Sequence, residues 1–422
     1  MRPRLLQQVQ ILEGPASPLR REDVLLEQGR LAAIGPAALA RGQALGMAPQ
    51  PAAGLLLAPA LVDPHSMLEQ PYGAAAETLD SLVRSATAAG YGTVALLPRG
   101  RSWRDRPERL QLPAMGPFRL PLWASFSLGG DGVELAPHAD LIAAGAIGLA
   151  ENDNLPPLAL LERGLRLAEA GGRPVLLAPR DPSLSRGGFV REGVEALRAG
   201  WPLDPDLSET LPLQSLLALE ADLPASEIRL CNLSTAAAME LLRNHPRRVP
   251  ASVCWWHLVG DSSRLDPVDE GWRLLPALGG PADRRALVAA LAEGLLSAVA
   301  VHHVPLDAEE RLLPIDQRRP GLAGHRFVLP VLWQELVVGA GWSVAALWEA
   351  LCWGPARFLG LAEETLQPGS DRWILFDPAM AWEPRADAEA SLAANQPYGG
   401  ATLTGQVLAT GLLPELWRGR GP

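Results

Sequence analysis

Apolar, strand-like runs alternate with helix-like segments through the middle of the chain, from about residue 57 to residue 360. The candidate parallel strands are GTVALLP, PLWASFSL, AIGLA, PVLLAP, IRLCNLS, VPASVCWW and AVAVHHVP. Between them, helical spacing occurs in TLDSLVRSATAAG, LALLERGLRLAEAGG, ETLPLQSLLALEADL and RRALVAALAEGL. Alternation repeated this often predicts a (β/α)8 TIM barrel, an α/β fold whose reactive groups lie at the carboxyl ends of the strands. A doubly wound open sheet is the alternative.

Both ends of the chain are rich in short strand-like runs. LLQQVQILEG and DVLLEQGRLAAIG, with a turn at Gln28-Gly29, have the spacing of β-hairpins. RWILFDP and ATLTGQVLATG near the other end have the same character. We therefore expect a small composite β-sandwich from residues 1–56 and 364–422, beside a barrel domain of residues 57–363.

The charged residues exclude several functions. The net charge is −10, which argues against nucleic acid as the main partner. All 37 basic residues are arginine, so the chain has no lysine for a Schiff base, a P-loop or a carbamylated metal bridge. Its three cysteines form no CxxC pair, and no apolar run reaches the ~18 residues of a membrane span. These features predict a cytoplasmic protein with no membrane partner.

The seven histidines are the natural candidates for chemistry. His65 follows an apolar run, His302 and His303 end another, and His257 follows a third. Histidines at three strand ends of one barrel could gather around a metal ion, although such residues also cap loops. The chain has no HxH, HExxH or CxxC motif, so the spacing alone leaves both readings open.

Several segments in order resemble the dihydroorotases, a family of the amidohydrolase superfamily. APALVDPHSMLEQP resembles PGxVDPHVHxREP, GYGTVALLPRG resembles GGFTTVxxMPNT, and AGAIGLAENDNLP resembles GAVxFSDDGxP. IRLCNLSTAAAMELLR, VCWWHL, AVAVHHVPLDAEER, RRPGLAGHRFVLP and GPARFLGL continue the likeness along the chain. The resemblance implies a barrel of pyrimidine biosynthesis that holds one or two zinc ions, whose hydroxide hydrolyses a cyclic amide with the help of an aspartate.

The residues that the resemblance assigns to zinc are largely replaced. His65 matches the first histidine of the family's HxH, but Met67 stands at the second. The next two histidine positions fall on about Pro179 and on Asn232, and His302 stands where the family has its catalytic aspartate. The resemblance therefore predicts no catalytic residue and no bound metal. If a metal is bound, the candidate ligands are His65, Asp153, His257 and His302.

The substrate side of the resemblance is altered as well. Glu69 stands at the arginine that pairs with the orotate-ring carboxylate, and Arg99 stands at the asparagine of MPNT. Leu275 and Leu306 replace a further asparagine and the last histidine of DHAPH. We expect Arg99 to neutralise Glu69 or Glu151.

The replaced residues lead to three hypotheses. The first is an inactive dihydroorotase-like protein without a cofactor, kept as a scaffold, with aspartate carbamoyltransferase as the partner implied by analogy. The second is an active cyclic amidohydrolase with a remodelled zinc site. The third is a small-molecule binding protein that uses the former substrate pocket of Glu69, Arg99, Asn232, Leu275 and Leu306. The resemblance also implies a homo-oligomer.

Overall fold

A computed structural model describes residues 2–69, 76–100, 103–265, 273–314, 317–386 and 389–418. The strands are β1 Arg4–Ile11, β2 Arg20–Glu27, β3 Arg30–Ile34, β4 Gln50–Pro51, β5 Leu56–Pro59, β6 Leu61–Ser66, β7 Tyr91–Leu96, β8 Trp123–Ser125, β9 Gly148–Ala150, β10 Val175–Leu177, β11 Val190–Arg191, β12 Leu203–Asp204, β13 Ile228–Leu230, β14 Ser252–Cys254, β15 Ala298–Ala300, β16 Trp373–Trp382 and β17 Leu403–Thr410.

The α-helices are α1 Pro36–Ala44, α2 Leu79–Ala88, α3 His138–Ala143, α4 Leu158–Leu167, α5 Pro182–Ser185, α6 Val194–Ala199, α7 Leu207–Asp222, α8 Ala236–Asn244, α9 Trp256–Val259, α10 Pro281–Ala292, α11 Ala308–Arg311, α12 His325–Leu332, α13 Val344–Trp348 and α14 Gly354–Phe358. Short 3-10 turns occupy Pro107–Arg109, Leu128–Gly130 and Ser262–Arg264, and wider π-type turns occupy Trp333–Gly339 and Glu349–Trp353.

Eight of the described strands close into a ring in chain order. Strands β6 and β7 pair in parallel, as do β8, β9, β10 and β13 in succession, and β14 with β15. Parallel bridges join Leu96 to Leu122 and Leu230 to Ala251, linking these groups. The ring closes where the Met67 N–H donates to the His303 carbonyl at 2.8 Å. The predicted TIM barrel is confirmed, and the open doubly wound sheet is not, because an open sheet has two free edges.

The predicted helices follow from their apolar spacing and their caps. Helix α2 buries Leu79, Leu82 and Ala86 on one face, and the Thr78 hydroxyl accepts a hydrogen bond from the Ser81 N–H at 3.1 Å. Burial of the apolar face against the barrel supplies most of the stability of such a short helix. The helices predicted between the strands are likewise present as α4, α7 and α10.

A second sheet joins the two ends of the chain. Its order is β17-β16-β5-β1-β2-β3, with β4 beside β1, and β16 pairs antiparallel with β5. The predicted turn at Gln28-Gly29 joins β2 to β3, and both residues have the positive φ that such a tight hairpin requires. Helix α1 was not predicted. The residue boundaries of the two domains stay a prediction.

No helix within the described residues is both long enough and apolar enough to cross a membrane.

Candidate functional site

Two histidines from opposite ends of the barrel sequence meet at the carboxyl ends of the strands. His65, predicted to follow a strand, lies within the end of β6, and His302 lies just after β15. Their Nδ1 atoms are 3.1 Å apart, so one ring donates a hydrogen bond to the other. The second ring nitrogen of His65, Nε2, lies 2.8 Å from the Ser252 hydroxyl. Both nitrogens of His65 are therefore engaged by protein groups.

Burial keeps this histidine pair neutral. Loss of solvent, and then the neighbouring His302, lower the pKa of His65 to about 3. Burial also lowers the pKa of His302, against the opposing attraction of Asp153 and Asp63. At neutral pH the pair has no charge with which to bind an anion or to form an ion pair.

Cys231 lies near the ring nitrogen of His65 that faces Ser252, with its Sγ 3.9 Å from Nε2. Burial and the nearby Asp153 raise the pKa of this thiol well above its usual range. Because the pKa of His65 is lowered as well, no thiolate–imidazolium pair forms at neutral pH, unlike the pair that activates a nucleophilic cysteine. This arrangement therefore does not activate Cys231 as a nucleophile.

A small cavity, called here the strand-end cavity, opens beside the histidine pair and has a volume of about 20 Å³, which is room for about one water. Its lining comes from loops at the carboxyl ends of several strands. The lining residues are Asp153, Ala178, Pro179, Arg180, Arg191, Glu209, Cys231, Asn232, Leu275, Pro276 and His302. Among the residues predicted from sequence, this cavity brings together Asp153, Asn232, Leu275 and His302.

The rim beside the cavity is a chain of ion pairs. Arg99 Nε lies 3.1 Å from Glu69, and Arg99 Nη1 lies 3.3 Å from Asp153. Glu69 also pairs with Arg319. The predicted pairing of Arg99 with Glu69 is confirmed, and its second carboxylate is Asp153 instead of Glu151. Glu69 is thus neutralised by two arginines, so it is not an isolated negative charge at the rim.

A buried ionic network forms a further wall of the cavity. Arg191 lies 3.2 Å from both Asp204 and Glu209, and the side chains of all three are at most 3% exposed. Glu209 also accepts hydrogen bonds from the backbone N–H groups and hydroxyls of Ser234 and Thr235. A buried charge of this kind is tolerated because its partners replace the lost water.

A second group of histidines, His303 and His325, does not line the strand-end cavity. The His325 Nε2 atom lies 3.1 Å from Asp63, which also accepts from the Val301 N–H at 3.0 Å. His303 Nε2 lies 3.3 Å from Glu77, and His303 Nδ1 accepts from the Gly324 N–H. Burial acts to raise the pKa values of Asp63 and Glu77, but hydrogen bonds from the histidines outweigh it, so both pKa values are lowered.

Two predicted site residues lie elsewhere. His257 was predicted at a strand end, but it lies in α9, three residues after β14, with its Nε2 3.2 Å from the Pro276 carbonyl. Burial lowers the pKa of His257 to about 4. Leu306 is buried and does not line the strand-end cavity. The structure therefore does not gather the four candidate ligands around one point.

The side chains present do not fit the zinc site that the resemblance implies. A catalytic zinc needs three protein ligands and an open position. Met67 packs in an apolar cluster with residues such as Val304 and Phe358. In the part of the chain that the structure describes, no group of three or more His, Cys, Asp or Glu side chains is placed to hold a metal ion.

Sequence reasoning missed Arg180 and Ser252. Arg180 directly follows the apolar run of β10, and a charged residue at that place was a usable signal. Ser252 is a polar residue inside the apolar run of β14, and its hydroxyl binds both His65 Nε2 and the Asn232 N–H, the latter at 2.9 Å. A buried polar side chain in a barrel strand requires a partner, which the sequence could not identify.

Comparison with curated proteins finds relatives that match along most of the chain. The chain is 33% identical over 398 residues to a probable dihydroorotase-like protein of Synechocystis sp., covering 85% of this chain and 88% of the relative. It is 28% identical over 411 residues to a dihydroorotase of Pelotomaculum thermopropionicum, covering 95% of each. No family model matches the chain.

Solved structures share the fold. An L-hydantoinase of Arthrobacter aurescens superposes with a TM-score of 0.76 at 18% identity, covering 96% of this chain and 94% of that one. A D-hydantoinase of Thermus sp. gives a TM-score of 0.73 at 18% identity, covering 96% and 93%. At this identity the likeness supports the barrel with its β-domain and nothing finer.

Proposed function

The chain belongs to the dihydroorotase family of the amidohydrolase superfamily, and we propose that it is a member without dihydroorotase activity, retained as a binding or scaffold protein. The observation that carries the proposal is the use of both His65 nitrogens by His302 and Ser252, at 3.1 and 2.8 Å. A histidine whose nitrogens are both engaged by protein groups has no free lone pair for a metal unless those contacts break. Since Met67 and Asn232 replace other ligand positions, breaking the contacts would still leave too few ligands for a catalytic zinc.

The charges at the rim support the same proposal. The cyclic substrate of a dihydroorotase is an anion, and its carboxylate is best held by a bidentate arginine. Here the corresponding residue is Glu69, and the neighbouring Arg99 and Arg319 are already paired with it. A bound dihydroorotate would have to displace two ion pairs to reach either arginine.

The test is the metal content of the purified protein together with its dihydroorotate turnover. Protein prepared without chelators should contain less than about 0.1 equivalent of zinc, manganese or iron, because it lacks three converging ligands. Turnover in both directions should stay at the level of a blank, while the Pelotomaculum dihydroorotase measured alongside is active. One equivalent of metal that is lost in His65→Ala, together with metal-dependent turnover, would overturn the proposal and favour a remodelled cyclic amidohydrolase.

The scaffold role is tested separately. By analogy, aspartate carbamoyltransferase is the proposed partner, and a second copy of this chain is the proposed oligomer. Size-exclusion chromatography with light scattering of the two purified proteins, alone and mixed, should show a complex heavier than either. Two unchanged peaks would contradict the scaffold role, and only the binding role would then remain.

A further inference from the structure

A larger cavity, called here the amino-end cavity, opens where helices α4 and α7 end, and it has a volume of about 220 Å³. Helix α4 leads into β10 and helix α7 leads into β13, and these two strands pair in parallel. The two helices therefore end side by side at the amino ends of neighbouring strands. The amino-end cavity lies at the opposite end of these strands from the strand-end cavity.

The inner wall of the amino-end cavity is apolar. The side chains that form this wall are Phe126, Leu149, Leu165, Ala170, Val175 and Leu223. Three of them, Phe126, Leu149 and Val175, are at most 2% exposed, so the cavity reaches the core between strands and helices. An apolar group that replaces water against such a wall is bound favourably. Because an apolar cavity of about 150 Å³ is sufficient for a benzene ring, this cavity has room for one ring and a few further atoms.

The rim of the amino-end cavity contains two carboxylates and two arginines. Asp222 pairs with Arg166 at 3.1 Å. Glu227 pairs with Arg229, outside the cavity, at 2.9 Å. The remaining charged residue of the lining, Arg173, is exposed and forms no ion pair within the described residues. An incoming anion can therefore bind Arg173 without displacing a carboxylate from it.

The position of Arg173 brings this cation to the mouth of the apolar space. Arg173 lies in the loop between α4 and β10, two residues before the buried Val175 and three after Ala170. A guanidinium binds the two oxygens of a carboxylate side by side. A ligand with an apolar body and a carboxylate at one end would match both the wall and the rim.

We propose that the amino-end cavity binds a small amphipathic carboxylate, with an apolar body of about the size of one aromatic ring against the wall and its carboxylate on Arg173. The inference goes beyond the proposed function and does not depend on it, because none of the residues that the family resemblance assigns to zinc or to substrate lines this cavity. The reactive groups of a TIM barrel lie at the other end of its strands, so the ligand is bound here and not converted.

The experiment uses phenylacetate as the probe. Phenylacetamide has the same ring without the charge, and acetate has the charge without the ring. Calorimetry should show phenylacetate binding about fivefold more tightly than phenylacetamide, which is the contribution of an exposed ion pair. Acetate should give no measurable heat, because burial of the ring supplies most of the affinity. Phenylacetate should also raise the Tm in a concentration-dependent manner.

Two variants and a control assign the site. Arg173→Gln should bind phenylacetate about fivefold more weakly and should no longer prefer it to phenylacetamide, because the cation is lost. Ala170→Leu fills part of the cavity from a half-buried position, so it should weaken the binding of both ring compounds by at least about tenfold. Arg163→Gln, at an exposed arginine of α4 that does not line the cavity, should bind phenylacetate like the wild type.

The outcomes separate this inference from the proposed function. Protein that does not bind phenylacetate overturns the inference and leaves the proposed function standing. An unchanged preference for phenylacetate over phenylacetamide in Arg173→Gln also overturns the inference. Metal-dependent turnover of dihydroorotate overturns the proposed function, whereas phenylacetate binding that is lost in the two cavity variants supports this inference in either case.

Discussion

His302 and His303 are neighbours in the chain, yet their side chains enter two different environments. His302 lines the strand-end cavity and faces the neutral ring of His65. His303 is fully buried, 3.3 Å from the carboxylate of Glu77, and accepts from the Gly324 N–H. The region of His303 contains carboxylates held by several donors. The region of His302 contains paired imidazoles, the Arg180 guanidinium and the Asn232 amide, which has no hydrogen-bond partner among the described residues.

The difference separates a structural polar cluster from a binding site. In the region of Asp63 and Glu77, each carboxylate has several donors, including the Ser66 hydroxyl for Asp63 and the Ser391 hydroxyl for Glu77. Such a network has little left to offer a ligand and mainly stabilises one arrangement of the core. At the strand-end cavity, the Asn232 amide has no hydrogen-bond partner among the described residues, and this is the end of the barrel where ligands bind in this fold.

The largest expected effect is a loss of stability in the region of Asp63 and Glu77, where each carboxylate has several donors. Asp63→Ala removes the acceptor of the Val301 N–H, the Ser66 hydroxyl and His325 in a fully buried position. The free energy of unfolding should fall by about 4 kcal/mol, measured by urea denaturation. Asp222→Ala is the matched control, because that side chain is 66% exposed and should cost less than about 0.5 kcal/mol. Equal losses in both variants would mean that the Asp63 cluster is not a stabilising network.

The next effect is a pH dependence that belongs to the cavity region. His65 has a folded-state pKa lowered to about 3, whereas an unfolded histidine binds its proton below about pH 6.5. Between these values the unfolded chain holds more protons, so the stability contributed by neutral His65 is present above pH 6.5 and is lost as the pH falls. From pH 7 to pH 5 His65 alone should account for a loss of about 2 kcal/mol, to which His257, with a pKa lowered to about 4, adds its own.

His65→Gln tests this pH dependence. Asp63 contributes little to it in that range, because its pKa is lowered and its stabilisation is lost only at more acidic pH. Urea denaturation at pH 7, 6 and 5 should therefore give a shallower slope for the variant than for the wild type. Parallel slopes would show that the pKa of His65 is the same in the folded and the unfolded protein.

Much of the fold follows from local pattern. The alternation of apolar runs such as GTVALLP with amphipathic segments is sufficient for the barrel, because each element must bury one apolar face. The Gln28-Gly29 turn and the strands at the two ends are equally local signals. The family resemblance then identified Met67 and Asn232 as replacements of histidines. Such a replacement can be recognised from the type of residue at the position, without a structure.

The sequence could not show which groups satisfy one another. His302 has a positive φ of 48° just after β15, and the side chains of His302 and His303 contact different groups. The partners of these side chains, His65 and Glu77, lie more than two hundred residues away in the chain. The pairing of Asp153 with Arg99 is likewise revealed only by the assembled rim.

The smallest effect concerns Cys231, at the boundary of the cavity region. Its thiol lies 3.9 Å from His65 Nε2, the arrangement that in a reactive cysteine gives a thiolate–imidazolium pair. Here burial raises the pKa of the thiol and lowers that of His65, so the neutral pair is favoured on both sides. Iodoacetamide should therefore leave Cys231 unmodified over hours at pH 7, as read by peptide mass spectrometry, while urea-unfolded protein is alkylated at all three cysteines. Rapid native alkylation at pH 6 that disappears in His65→Gln would place an ion pair in the cavity, and the contrast between the two histidine regions would then lie in geometry rather than in charge.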